Sequence, residues 1–160
     1  MDFIDKLQAL SAKIKKQKDG IQTEEATKTA FVLPFIGTLG YDIFEPTEVI
    51  PEFTADVGIK KGEKVDYAIC LDGKKVMLFE CKSCHSSLDD CHASQLYRYF
   101  SVTGARLAVL TNGVLYRFYS DLEEPNKMDS RPFMEFNMLD VQENLVPELK
   151  RFTKIGRAHV

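Results

Sequence analysis

No stretch of this chain is long and apolar enough to span a bilayer, and its opening residues, Met1-Asp2-Phe3-Ile4-Asp5, lack the form of a signal peptide. The expected setting is therefore cytoplasmic, with no membrane attachment, and the four cysteines should stay reduced. There is no G-x-x-x-x-G-K-S/T phosphate loop, which excludes a nucleotide-driven motor. Nor is there an excess of positive charge: a net charge of −3 is not the footprint of a protein that coats nucleic acid without specificity. What the chain does have is 160 residues with 44% hydrophobic content, enough to bury one globular core.

The most informative residues are Val65-Asp66-Tyr67-Ala68-Ile69 and, beyond a turn signal at Asp72-Gly73, Leu78-Phe79-Glu80-Cys81-Lys82. Both runs are rich in β-branched and aromatic residues, so they read as a β-hairpin. Side chains alternate along a strand, and parity therefore decides which of them meet. A three-residue loop puts Asp66 on the same sheet face as Glu80 and Lys82; a strict two-residue loop puts the carboxylates on opposite faces. Two carboxylates side by side need a cation between them, and oxygen donors suit Mg²⁺ or Mn²⁺. With Lys82 beside them, such a group matches the needs of metal-assisted phosphodiester hydrolysis. By spacing alone, the same residues also read as a solvated face with a cross-strand ion pair. The apolar neighbours Ala68, Ile69, Val76, Leu78 and Phe79 favour a buried group that must be compensated.

These residues resemble the PD-(D/E)xK nuclease core, and in particular the N-terminal domain of type I restriction enzyme R subunits and related short phage and bacterial proteins. The likeness extends upstream to T-E-E-A-T-K-T-A-F-V-L-P-F-I-G-T-L-G-Y-D and downstream to S-Q-L-Y-R-Y-F, similar to a Q-x-x-x-Y element, and to V-L-T-N-G-V-L-Y-R-F-Y. The family's Pro-Asp pair is Val65-Asp66 here, which keeps the carboxylate. The resemblance implies an α/β fold with a restriction-endonuclease-like core, a mixed central sheet flanked by helices. It implies Asp66, Glu80 and the Cys81 carbonyl as metal ligands and Lys82 as catalytic lysine. Gln95 and Tyr99 become DNA-facing or positioning residues, and an acidic residue of the second helix approaches the metal. Glu25 aligns with Thr29, Val32 and Ile36 and is preferred for that role, although Glu24 aligns equally well with Phe31 and Phe35. The implied activity is a Mg²⁺- or Mn²⁺-dependent deoxyribonuclease with DNA as its partner; the contrasting reading is a noncatalytic nucleic-acid-binding or phage regulatory module.

Elsewhere, Phe3, Leu7, Leu10, Ile14 and Ile21 predict an amphipathic first helix, suited to packing on this domain or on a second copy or partner subunit. Lys13, Lys15, Lys16 and Lys18 lie on its outer face. Lys60, Lys61 and Lys64 precede the Asp66 strand and are the better candidates for DNA contact. Thr23 should cap the second helix and Gly40 should end it. A strand is expected over 48–53, a helix over 87–101, a hairpin about Asn112-Gly113, and a late helix over 141–152.

Cys81-Lys82-Ser83-Cys84-His85 matches a haem-attachment pattern, but that chemistry belongs to exported proteins. Cys84, His85, Cys91 and His92 do not have the spacing of a usual zinc finger. The Cys81 side chain alternates away from Glu80 and Lys82 and should be a small buried hydrophobe. The sequence reads as one domain over 1–154. Residues 155–160 look like a translated sequencing-library adapter, a non-native tail, so His159 is not recruited to any site.

Overall fold

Alternating and continuous apolar runs make each strand pair with its neighbour in sequence, so the sheet grows in chain order. The computed structural model describes residues 1–55 and 63–158, with Asp90, Cys91, Arg157 and Ala158 described in backbone alone. Strands β1 (Val49–Phe53), β2 (Val65–Leu71), β3 (Lys74–Cys81), β4 (Leu107–Thr111), β5 (Leu115–Tyr119) and β6 (Met134–Asn137) form one sheet in the order β1-β2-β3-β4-β5-β6. Only β3 and β4 run parallel, and the remaining neighbours are antiparallel. Pro51 sits on β1, an edge strand, where a missing N–H is tolerated.

Helix α1 (Phe3–Gln17) and helix α2 (residues 24–38) pack on one face of the sheet, and α3 (Ser94–Thr103), the crossover between β3 and β4, covers the other. Short helices α4 (Val146–Lys150) and α5 (Lys154–Ala158) close the chain. Tyr67, Ile69, Met77, Phe79 and Cys81 join the α1/α2 core, while Ala68 and Leu78 join the core beneath α3. No helix among the described residues is long and apolar enough to cross a membrane.

The β2–β3 hairpin settles the parity question by an unexpected route. Its turn has two residues, Asp72 and Gly73, at φ 51° and 78°, between the paired Leu71 and Lys74. Both positive φ values suit a type I′ turn. Taken alone, this turn would separate the carboxylates. A bulge between Ile69 and Cys70 shifts the register, so that Cys70 pairs with Lys75 but Ile69 pairs with Met77. Tyr67 then faces Phe79, and one step further out Asp66 faces Glu80 on the side of the sheet shared with Ala68 and Leu78.

Several expectations shift in detail. Leu7, Leu10 and Ile14 of α1 are buried in the chain's own core, so the apolar face of the first helix is used internally rather than left for a second copy. Ile21 lies past the helix end, after a 3₁₀ turn at Lys18–Gly20. The expected helix over 87–101 is a 3₁₀ turn, Asp90–Ala93, followed by α3, and the late helix shrinks to α4 after a 3₁₀ turn at Glu143–Leu145. Strand β6, which has only four residues, has no counterpart among the sequence expectations.

Helix α2 is not uniform. Thr23 caps it as expected, accepting from the Ala26 N–H at 3.0 Å, and Glu24–Thr27 is α-helical. Lys28–Val32 then widens to a π-helix before Leu33–Thr38 returns to α. Pro34 has no N–H to offer the preceding turn, and Lys13 Nζ donates to the Ala30 carbonyl at 2.9 Å. The β4–β5 turn fixes this helix in place. Its central pair is Gly113-Val114 rather than Asn112-Gly113, since Asn112 N–H bonds the Leu115 carbonyl and positive φ falls on Gly113. This is the pattern of a type II′ turn. A Cβ on Gly113 would meet Thr27 Cγ2 at 2.9 Å and Phe31 Cβ at 3.1 Å. Gly113→Ala should therefore lower stability by about 1–3 kcal/mol through strain at positive φ and overpacking against α2. Urea denaturation measures this directly, and an unchanged midpoint would show that turn and helix are not in obligatory contact.

Candidate active site

The strand ends and the first turn of α2 converge on Asp66. Its Oδ2 accepts from the Cys81 backbone N–H at 2.7 Å, and its Oδ1 lies 3.2 Å from Lys28 Nζ. The same ammonium lies 2.7 Å from Glu25 Oε1. Glu80 is buried, and its carboxyl is hydrogen-bonded to that of Asp66. When the Gln95 amide is oriented to satisfy both of its ends, its nitrogen donates to Glu80 Oε2 at 2.6 Å and to the Lys64 carbonyl at 3.0 Å.

These contacts divide the proton affinities of the two carboxyls. Burial pushes Glu80 up, the hydrogen bond with Asp66 and the Asp66 charge push it further, and Lys82 only partly opposes them, so Glu80 titrates at about 9. Burial also acts to raise Asp66, but the hydrogen bond from Glu80, the Cys81 N–H and Lys28 together hold it below the usual aspartate value. At neutral pH the pair thus shares one proton, carried by Glu80 and donated to Asp66. Lys28 loses solvation, yet Glu25 and Asp66 more than compensate and hold it firmly as a cation.

The remaining candidates fall into place around this pair. Lys82 is partly buried and close enough for its charge to bear on Glu80; its backbone N–H donates to the Thr111 carbonyl at 2.8 Å, and among the described residues no ion pair holds its ammonium. Glu25 is exposed and reaches Asp66 only through Lys28, whereas the charge of Glu24 bears on Glu80. The Cys81 side chain is fully buried on the opposite face, as its alternation implies. Tyr99 is also fully buried, its hydroxyl donating to the Glu63 carbonyl, so it does not face DNA. It anchors the segment entering β2, because an apolar helix position left its ring no solvent side to occupy. Lys64 is exposed and paired with Glu52 at 2.6 Å, and Lys60 and Lys61 lie outside the described residues.

Sequence reasoning overlooked Lys28, which is buried. A signal existed: Lys28 falls three and four residues before the buried Phe31 and Val32, on the stripe that Phe35 and Ile36 continue inward. The Cys84 thiol faces the Lys18 and Ile21 carbonyls, and its N–H donates to Thr27 Oγ1 at 3.0 Å, tying the loop after β3 to α2. Among the described residues, no three or more His, Cys, Asp or Glu side chains converge as a metal cluster. A cavity of about 890 Å³, lined by Glu48, Cys70, Leu71 and Lys154, lies at the turn end of the hairpin, away from the carboxyl pair.

The family described as "Type I restriction enzyme R protein N terminus (HSDR_N)" matches residues 23–132, which include every residue of this cluster. No curated protein sequence matches the chain. Among solved structures, one titled "cryoEM structure DrdV-DNA complex" superposes with a TM-score of 0.58 at 18% identity over 92% of this chain. The match spans only 14% of that much longer chain, and at this identity it speaks for the fold.

The shared proton has a thermodynamic signature. Because Glu80 is raised from 4.5 to about 9 on folding, its contribution to stability is complete below the unfolded value and is lost as pH rises through the folded one. Glu80→Gln keeps a donor for Asp66 and an acceptor for Gln95 without the titration. Between about pH 6 and pH 8, wild-type stability should fall by about 2–3 kcal/mol more than that of Glu80→Gln. Parallel denaturation curves at the two pH values test this, and equal slopes would refute the shared proton.

Proposed function

Because the chain belongs to the family of type I restriction enzyme R protein N-termini, we propose that it is a divalent-metal-dependent nuclease domain of the PD-(D/E)xK kind, hydrolysing phosphodiester bonds in DNA. The observation that carries this reading is the buried Asp66–Glu80 carboxyl pair with Lys82 beside it.

The donor set suits a hard divalent cation. Mg²⁺ is commonly held by one or two carboxylates, with water and substrate phosphate completing its shell. The proton on Glu80 and the ammonium of Lys28 together carry the two positive charges that such an ion would bring. Asp66, Glu80 and the Cys81 carbonyl would hold the ion, which when bound supplies Lewis acidity toward the phosphate and lowers the pKa of a water molecule. Lys82 would orient the attacking water and stabilise negative charge on the phosphate oxygens in the pentacoordinate transition state. Gln95 holds the Glu80 carboxyl in line and is a positioning residue. With the 3′ oxygen as leaving group, as in the nucleases this core resembles, water attack would leave 5′-phosphate and 3′-hydroxyl ends. Lys64, exposed where the chain enters β2, supplies a backbone phosphate contact, and Lys60 and Lys61 are assigned the same role from the sequence alone.

The contrasting reading is a noncatalytic DNA-binding module that kept the fold, and the Lys28 ammonium seated on Asp66 is the observation that favours it. Incubating supercoiled and single-stranded DNA with Mg²⁺, Mn²⁺ or EDTA separates the two. Cleavage should require the metal and fall by about a hundredfold or more in Lys82→Ala. Gel retardation without cutting under every metal condition would assign the binding module instead.

A further inference from the structure

Asp66 has two carboxylate oxygens, and they are not equivalent. Oδ2 is committed to the backbone, 2.7 Å from the Cys81 nitrogen, so Oδ1 is the oxygen left for a cation. Lys28 Nζ occupies it at 3.2 Å. Its side chain is only 9% exposed and begins the π-helical stretch, so it is built into the site rather than draped across it. Its other partner, Glu25, is 81% exposed and points to the rim. Lys28 therefore spans from the buried carboxylate to the surface over which a phosphate backbone would pass.

We propose that Lys28 is a resident counter-ion that occupies the cation position on Asp66 Oδ1 in the free protein, and that a divalent ion binds by displacing it toward Glu25 and a DNA phosphate. The inference rests on the nuclease reading and adds a regulatory property to it. An ammonium and a divalent ion cannot both sit against one carboxylate oxygen, so metal affinity is held down while Lys28 is in place. A phosphate at the rim gives the displaced ammonium a second anion, and by linkage DNA and metal each strengthen the binding of the other. The free domain is thereby kept poorly loaded until DNA is present, which restrains unproductive hydrolysis.

Mn²⁺ binding to the whole chain, followed by electron paramagnetic resonance with and without a cleavage-resistant phosphorothioate duplex, tests this without any catalytic readout. Lys28→Met keeps the buried stem and removes the charge, and should raise Mn²⁺ affinity without DNA by about tenfold while abolishing most of the gain that DNA confers. Glu25→Gln leaves Lys28 with Asp66 alone and should lower the affinity severalfold. A merely structural pair would weaken binding in both variants, and that result, like an unchanged affinity in Lys28→Met, overturns the proposal. If Lys28→Met fails to fold, as judged by circular dichroism, Lys28→Gln, which also removes the charge, takes its place, and a rise or a fall in its Mn²⁺ affinity decides. The two readings fail separately. Opposite shifts in the two variants with no cleavage by the wild type would sink the nuclease and keep the counter-ion; metal-dependent cleavage without those shifts would do the reverse.

Discussion

Two carboxyl groups are buried against each other at the ends of β2 and β3, and most of the surrounding structure answers that cost. An isolated pair of carboxylates in a dry site would repel too strongly for both to stay ionised. The fold compensates from four directions: a strand N–H from Cys81, an ammonium from α2, an amide from α3, and a proton retained on Glu80. The three donors outside the pair come from β3, α2 and α3, so the site is the place where both helical layers and the sheet meet. Helix α2 lies on the face opposite Asp66 and Glu80, yet its first turn reaches over the end of the strands to deliver Lys28.

That delivery depends on contacts remote from the chemistry. Gly113 leaves room for Thr27 and Phe31, and Thr27 in turn accepts the Cys84 N–H from the loop following Lys82. Asn112 holds the same loop through Ser86, whose carbonyl accepts from Nδ2 at 2.9 Å, while its Oδ1 accepts from Val114 and Leu115 within the turn. A hairpin at the far side of the parallel pair thus braces both the helix and the loop that flank the carboxyls. The π-helical stretch lies within this braced region, where Phe31 and Val32 are fully buried beside Lys28.

Parity left the Asp66–Glu80 juxtaposition open and the resemblance to the nuclease core pointed to it, whereas the mixed sheet and the capped second helix were legible because apolar alternation, turn and cap signals are local properties. The means by which the juxtaposition arises was not, since the bulge at Ile69/Cys70 has no glycine or other punctuation to mark it. Tyr99 shows a different limit. Four-residue spacing correctly aligned it with Gln95, but only the packed core reveals that the tyrosine turns inward while the glutamine reaches the carboxyl. Strand β6 escaped notice because four alternating residues inside a polar region carry too little pattern. Lys28 was passed over for a related reason: charge on a helix is usually solvated, and its burial makes sense only once Asp66 is known to lie beneath it.

The bulge also constrains how this hairpin can vary. A turn of two residues and one offset in the ladder act as a phase and a phase correction, and only their sum brings the carboxyls onto one face. Losing or gaining a single residue between Tyr67 and Phe79 would invert the outer half of the hairpin, even though the turn itself is exposed and would tolerate the change sterically. Length changes in descendants of this sequence are therefore neutral only in pairs, or when a second irregularity restores the phase. An exposed turn, ordinarily the most permissive part of a domain, is here held to a fixed frame by two side chains at the opposite end of the strands.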